Sequence, residues 1–264
     1  YGLSAVGLPS DAGGRTGPHP WVWLATGTCF MGFFIQRQRS LQSLERPLLD
    51  LRTFCSSNFS LAVILMAVLM MSLFGTLILL PIYLQNVLGL TTLRTGLLLL
   101  PGGLLMGLLS PPVGRWYDRI GPAPLLIPGM LLVSLVLWAM TLLGTATPVG
   151  YILAGHIVIS AGFALLFTPL FTVSLSSVSM RLYSHGSAVI GSVQQLAGAA
   201  GVALFVALMS ARMAALLGRG AVPREALAGG IRSAFLFGAL CSLLAMALVL
   251  FVRRPPPPQA LPDG

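Results

Sequence analysis

The sequence has no lysine and only six acidic residues among its 264: Asp11, Glu45, Asp50, Asp118, Glu225 and Asp263. Charged residues make up 8% of the chain, where a soluble domain carries roughly 25%. With 56% hydrophobic residues and a mean hydropathy of +0.92, this much apolar surface cannot be hidden in one water-facing core. The class that remains is a polytopic, all-α transmembrane protein. The three cysteines, Cys29, Cys55 and Cys241, have no metal-ligand spacing and are expected to be free thiols, with no metal and no cofactor implied. There is no HExxH, no Gly-rich phosphate loop with a lysine, and no carboxylate pair inside an apolar run. The chain is therefore not expected to be an enzyme. The net charge of +9 comes entirely from arginines scattered between apolar runs, not from one patch, so it does not point to nucleic acid.

Apolar runs are what the chain does have. Residues 1–19 are Gly/Pro-rich and polar and begin at Tyr1, not Met, as expected for a piece of a longer protein. Pro20 to Ile35 is uncharged and 16 residues long, short for a span, with Trp21 and Trp23 placed for a membrane interface. Residues 37–58 read as a polar connector, in which Pro47 to Leu51 suits a short surface-lying element. Six further spans are expected: Phe59 to Leu84, Gly96 to Val113, Ala123 to Leu143, Val149 to Val173, Ser187 to Ala211 and Ser233 to Val252. Thr91 to Thr95, Gly144 to Pro148, Ser174 to Gly186 and Arg212 to Arg232 read as the breaks between them. Residues 253–264 form a Pro-rich extended tail. That makes seven helices. Sorting the arginines by face gives nine on the side of Arg115 and the C-terminus and six on the other. This bias places the C-terminus and residues 37–58 in the cytoplasm and residues 1–19 outside it.

No acidic residue lies inside an expected span, so proton coupling through a buried carboxylate is not readable here. Other polar residues are. Gln194 and Gln195 sit mid-span, where an unpaired amide costs several kcal/mol in hydrocarbon. By spacing they share a face with Gly191 and Gly198. That face is either a tight helix seam or the wall of a substrate cavity. His156 lies one turn from Ser160, either lining a pore or bonded to neighbouring backbone. Tyr83 and Gln85 are similar but nearer a helix end. Met66 and Met70, with Phe74 beyond, suit an adaptable pocket or ordinary packing. Gly103 and Gly107, Gly155 and Gly162, and Gly191, Gly198 and Gly201 are candidates for close helix approach.

One charged stretch interrupts the apolar pattern: Gly114-Arg115-Trp116-Tyr117-Asp118-Arg119-Ile120-Gly121. Pro111-Pro112 and Pro122 are expected to end the flanking helices, leaving a charged turn in which Asp118 can pair with Arg115 or Arg119. It reads either as a solvated loop or as a hinge that latches helices.

This stretch resembles the second copy of the G-x-x-x-D-R-x-G loop of the major facilitator superfamily. Leu80-Pro81-Ile82-Tyr83-Leu84-Gln85-Asn86-Val87-Leu88-Gly89, then Thr95-Gly96-Leu97 and Leu100-Pro101-Gly102, resemble the first hairpin of a C-terminal bundle in its fourteen-span drug/proton antiporter branch. Gly186-Ser187-Ala188 with Gln194 to Ala203 resembles a later helix of that bundle, and Glu45 with Pro47 to Arg52 resembles the connector before it. The order and spacing match along nearly the whole chain. The basic pair that usually follows the loop is replaced by Pro122-Ala123. The resemblance implies that residues 59–252 form the C-terminal six-helix bundle, a 3+3 inverted repeat, and that residues 20–36 form an extra central helix. The N-terminal bundle of the same polypeptide, with the proton-coupling carboxylates, would be the missing partner, and a proton gradient the driving force. Gly114, Arg115, Asp118, Arg119 and Gly121 would then gate, and Gln194, Gln195, His156, Tyr83 and Gln85 would face a drug-like or other amphipathic small molecule in a lipid-embedded exporter. A truncated, non-transporting membrane remnant or scaffold, and a metabolite importer of the same superfamily, are the alternatives.

Overall fold

Lipid offers no partner for a backbone N–H or C=O, so an apolar run that crosses it must satisfy those groups within itself, as a helix does. A computed structural model, which describes residues 25–30, 32–33, 36–37 and 50–253, contains six such helices. They are α1 (Ser57–Asn86), α2 (Thr92–Ile120), α3 (Ala123–Met140), α4 (Val149–Ser176), α5 (Tyr183–Leu217) and α6 (Pro223–Val249). Each is long and apolar enough to cross a membrane, and no strand occurs among the described residues. The all-helical transmembrane class is what the structure contains. The expected span Pro20 to Ile35 lies partly outside the described residues; residues 25–30 and 32–33 are helical and exposed. Residues 1–19 and 254–264 lie outside altogether.

The helices run past the ends that charge and proline suggest. Gly114 to Ile120 is not a turn but the last two turns of α2, and Pro111 and Pro112 lie inside that helix. A proline in a helix removes a donor and leaves a carbonyl bare one turn back. Here those carbonyls belong to Gly107 and Leu108, and the neighbouring Ser110 hydroxyl donates to the Met106 carbonyl at 2.9 Å. The actual stop is Gly121, whose φ of 82° is open to glycine and costly for other residues. Arg212 to Arg232 is likewise not a loop: α5 continues to Leu217 and α6 begins at Pro223, leaving only residues 218–222 between them. Ser174 to Gly186 narrows to residues 177–182, which include a short 3-10 turn. Charge marks where the hydrocarbon ends, and a helix needs no lipid to continue into water.

Packing follows a crossed pattern. The second helix of each triplet lies on the first helix of the other: α2 on α4, and α5 on α1. Helix α3 packs on α4 and α6, and α6 also packs on α5. The buried core comes mainly from α1, α3, α4 and α6, with Phe59, Leu69, Tyr83, Val133, Phe163 and Phe235 among its enclosed side chains, and α5 adds Phe205. Helices α2 and α5 bury the smallest share of their residues. Glycines set the approach at both crossings. A Cβ on Gly201 would stand 2.5 Å from the Met71 Cα, and one on Gly102 would stand 2.5 Å from the His156 ring. Away from these crossings, Ser242 donates to Ser134 at 2.9 Å and ties α6 to α3 inside the core.

The connector enters α1 through a 3-10 turn, Leu51–Cys55, capped by Asp50. The Asp50 carboxylate accepts the Arg52 backbone N–H at 2.9 Å and the Arg52 guanidinium at 2.6 Å, the one ion pair among the described residues. The Arg52 hydrogen bond, with the charge of His185 adding a little, holds the Asp50 carboxyl below its ordinary value of 3.8 against the opposing effect of burial. Because the folded value is depressed, the stabilisation is fully present above 3.8 and is lost as pH falls through the folded value. Proteolysis of the connector should therefore be unchanged between about pH 7 and pH 5 and rise only at stronger acidity. Asp50→Ala should raise it near neutral pH, at a cost of about 1 kcal/mol, since Arg52 is largely in water and the cap dominates, and the gap to wild type should narrow in strong acid.

Candidate functional site

A cavity of about 390 Å³ opens between four helices: α1 (Met66, Met70, Leu73), α2 (Met106), α4 (Phe167, Thr168, Phe171, Thr172) and α5 (Gln194). The side chains converge because α1 and α4 each contribute positions one turn apart, 66, 70 and 73 on α1 and 167, 168, 171 and 172 on α4, while α2 and α5 contribute one residue each. The phenyl ring of Phe167 is oriented by stacking on buried Phe163, with centroids 5.7 Å apart. The Thr172 hydroxyl is committed to the Thr168 carbonyl at 3.0 Å. No ionisable side chain lines the cavity.

Of the five cavity candidates, Gln194 alone lines this space. Gln195, its neighbour, is exposed on another side of α5. Tyr83 is fully enclosed and donates its hydroxyl to the Gly144 carbonyl, joining the end of α1 to the α3–α4 loop. Gln85 accepts from the Thr92 hydroxyl at the α1–α2 turn. His156 points across the α2–α4 seam, its Nε2 3.0 Å from the Leu99 carbonyl. With Gly102 beneath the ring, this bond sews α2 onto α4.

The glycine candidates divide in the same way. Gly155 meets Met140, Gly162 meets the backbone of Gly129, Gly198 meets Phe74 and Gly201 meets Met71. Gly103, Gly107 and Gly191 face open space, and Gly102 makes the close approach expected of Gly103. At the end of α2, Arg115, Asp118 and Arg119 are exposed, and Asp118 has no ion pair among the described residues. The cavity residues Met106, Phe167, Thr168, Phe171 and Thr172 were not anticipated, although the i, i+4 pairs 167/171 and 168/172 repeat the 66/70 spacing on α1.

Six apolar helices, a crossed pair of triplets and a mid-bundle cavity fit a secondary transporter better than a channel or an enzyme. Residues 12–202 match the Major Facilitator Superfamily. The chain belongs to that superfamily. It is 36% identical to the lincomycin resistance protein LmrB of Listeria innocua serovar 6a over 88% of this chain and 50% of that protein. It is 33% identical to the lincomycin resistance protein LmrB of Bacillus subtilis over 96% of this chain and 53% of that protein. A multidrug resistance protein B homolog of Mycobacterium tuberculosis is 30% identical over 73% of this chain and 36% of that protein. The chain thus spans about half the length of the curated relatives it matches. Membership in the superfamily agrees with reading the chain as a multi-span transport protein and not an enzyme.

Proposed function

We infer that this chain is the C-terminal half of a fourteen-span, proton-coupled exporter of drugs or other amphipathic small molecules. The observation that carries this is the cavity. It opens beside α2 and α5, the two helices least covered by the rest of the bundle, which leaves its mouth open for another surface to close. A second bundle, the N-terminal part of the same polypeptide, would supply it, and rocking of the two bundles would alternate access. The relatives' length supports this, as do their names, which record resistance to lincomycin and to multiple drugs. The acidic residues of the six helices, Asp118 and Glu225, lie only in terminal turns and none lies mid-span, which supports placing the coupling carboxylates in that other bundle. Asp118, flanked by Arg115 and Arg119 at the exposed end of α2 and followed by Gly121, is free to engage a partner there as a gate. The nine-to-six arginine bias supports a cytoplasmic position for that end, in a bacterial cell membrane.

The test is dye accumulation in drug-sensitive bacteria expressing the full reading frame, with and without a protonophore. Lowered accumulation that the protonophore restores is the expected result. Accumulation equal to an empty-vector control at matched membrane expression would make the chain a non-transporting remnant. Raised accumulation would make it an importer.

A further inference from the structure

Gln194 is half-buried in a wall whose other polar side chains are the hydroxyls of Thr168 and Thr172, and its amide has no hydrogen-bond partner among the described residues. Three thioethers (Met66, Met70, Met106) and the rings of Phe167 and Phe171 surround it. Thioethers and aromatic rings are polarisable and favour flat ring systems. The Phe167 ring is held in one plane by Phe163, so one such platform is preset. A charged ligand group against this wall would meet no counter-charge and would be desolvated without compensation. An acyl chain would leave the amide unpaired. A ring system with a carbonyl, amide or hydroxyl at its edge meets the thioethers and phenyl rings with its faces and the Gln194 amide with its rim. An amide can both donate and accept, so it reads such groups without demanding one polarity.

We propose that Gln194 is the specificity-determining residue of this wall, selecting flat, uncharged, polarisable ring systems that carry a hydrogen-bonding group at the rim. The assignment rests on the exporter reading for its biological meaning, but binding can be measured without transport. Gln195 provides an internal control, being of the same chemistry and in the same helix turn but outside the cavity.

The probes are acridone, which carries a ring carbonyl and N–H, and anthracene, a hydrocarbon of the same three-ring shape. Both are fluorescent. Binding is measured on the full reading frame in lipid nanodiscs, with empty nanodiscs subtracting partition into lipid. Wild-type protein should bind acridone about ten-fold more tightly than anthracene, the factor that one net hydrogen bond provides. Gln194→Leu should erase that preference, weakening acridone by the lost hydrogen bond and strengthening anthracene, which no longer leaves an amide unpaired. Gln195→Leu should preserve it. Retention of the preference in Gln194→Leu, its loss in Gln195→Leu, or failure of wild type to bind either dye would overturn the proposal. A protein that binds with the expected preference yet extrudes no dye from cells would leave this assignment standing and overturn the exporter reading instead.

Discussion

Gly201→Ala is expected to force α5 off α1 and to destabilise the bundle more than any other single methyl added to α5. The added Cβ would stand 2.5 Å from the Met71 Cα and 2.6 Å from its carbonyl oxygen. Those are backbone atoms inside a continuous helix and cannot swing aside as a side chain can. The helices must separate, and every contact along the crossing loosens with them. Overpacking of this kind costs about 1–3 kcal/mol, and more where backbone must move. Two other glycines on the same helix calibrate the effect. At Gly198 the new methyl would meet the Phe74 ring at 2.9 Å, and that ring can rotate. At Gly191 it would meet nothing within 4 Å. The midpoint of thermal unfolding in detergent should therefore fall most for Gly201→Ala, less for Gly198→Ala, and stay level or rise for Gly191→Ala, where alanine's helix propensity is worth up to about 1 kcal/mol. Equal midpoints across the three variants would mean that the α1–α5 crossing is not a tight seam.

The same helix shows what was legible in the sequence. Its existence was, because 20 or so uncharged residues have no other way to satisfy their backbones in lipid. Its ends were not, because Arg212 stops the hydrophobic run without stopping the helix, which continues to Leu217. Proline misled for a related reason. In water Pro111-Pro112 would be expected to break α2, but a helix in a membrane has no unfolded alternative with satisfied carbonyls. The cavity was half legible. Gln194 and Gln195 look equivalent as mid-span amides, and spacing alone puts both on one face, yet only Gln194 lines the cavity. The distinguishing signal was present: Gln194 is four residues from Gly198 and seven from Gly201, so it turns with the glycines toward α1, whereas Gln195 turns with Ala199 and Val202. What sequence could not supply was Phe167 and Phe171. Apolar residues look alike on a helix whose neighbours are unknown, and only the packing of α4 between α1 and α2 makes those two face a cavity.

A further effect of comparable size is expected at Arg224, a residue that composition alone would assign to a solvated loop. It sits in the first turn of α6 and reaches two other connections at the same end of the bundle. Its Nε donates to the Val87 carbonyl at 2.6 Å, just past the end of α1, and its Nη2 donates to the Thr145 carbonyl at 3.0 Å in the α3–α4 loop. That loop is also held by the Tyr83 hydroxyl on the Gly144 carbonyl and by the Thr147 hydroxyl on the Gly144 N–H at 2.8 Å. One guanidinium thus joins all three helical hairpins. Its planar fork suits two carbonyls at fixed positions, where a lysine ammonium would serve one. Arg224→Ala should cost about 1.5–3 kcal/mol, the range for hydrogen bonds to a charged group, with the half-buried Val87 bond dominating because water can replace the exposed one. Arg224→Lys should recover part of it. Arg219→Ala, at an exposed position in the α5–α6 connection, should change stability by no more than about 0.5 kcal/mol. Hydrogen exchange should localise the damage, with protection falling at residues 87–90 and 144–147 before it falls in the helix interiors. Combining Arg224→Ala with Tyr83→Phe should cost less than the sum of the two, since both release the same loop and it can be released only once. Strict additivity, or exchange that rises first in the middle of α6, would show that Arg224 merely lies on these carbonyls and does not hold the end of the bundle together.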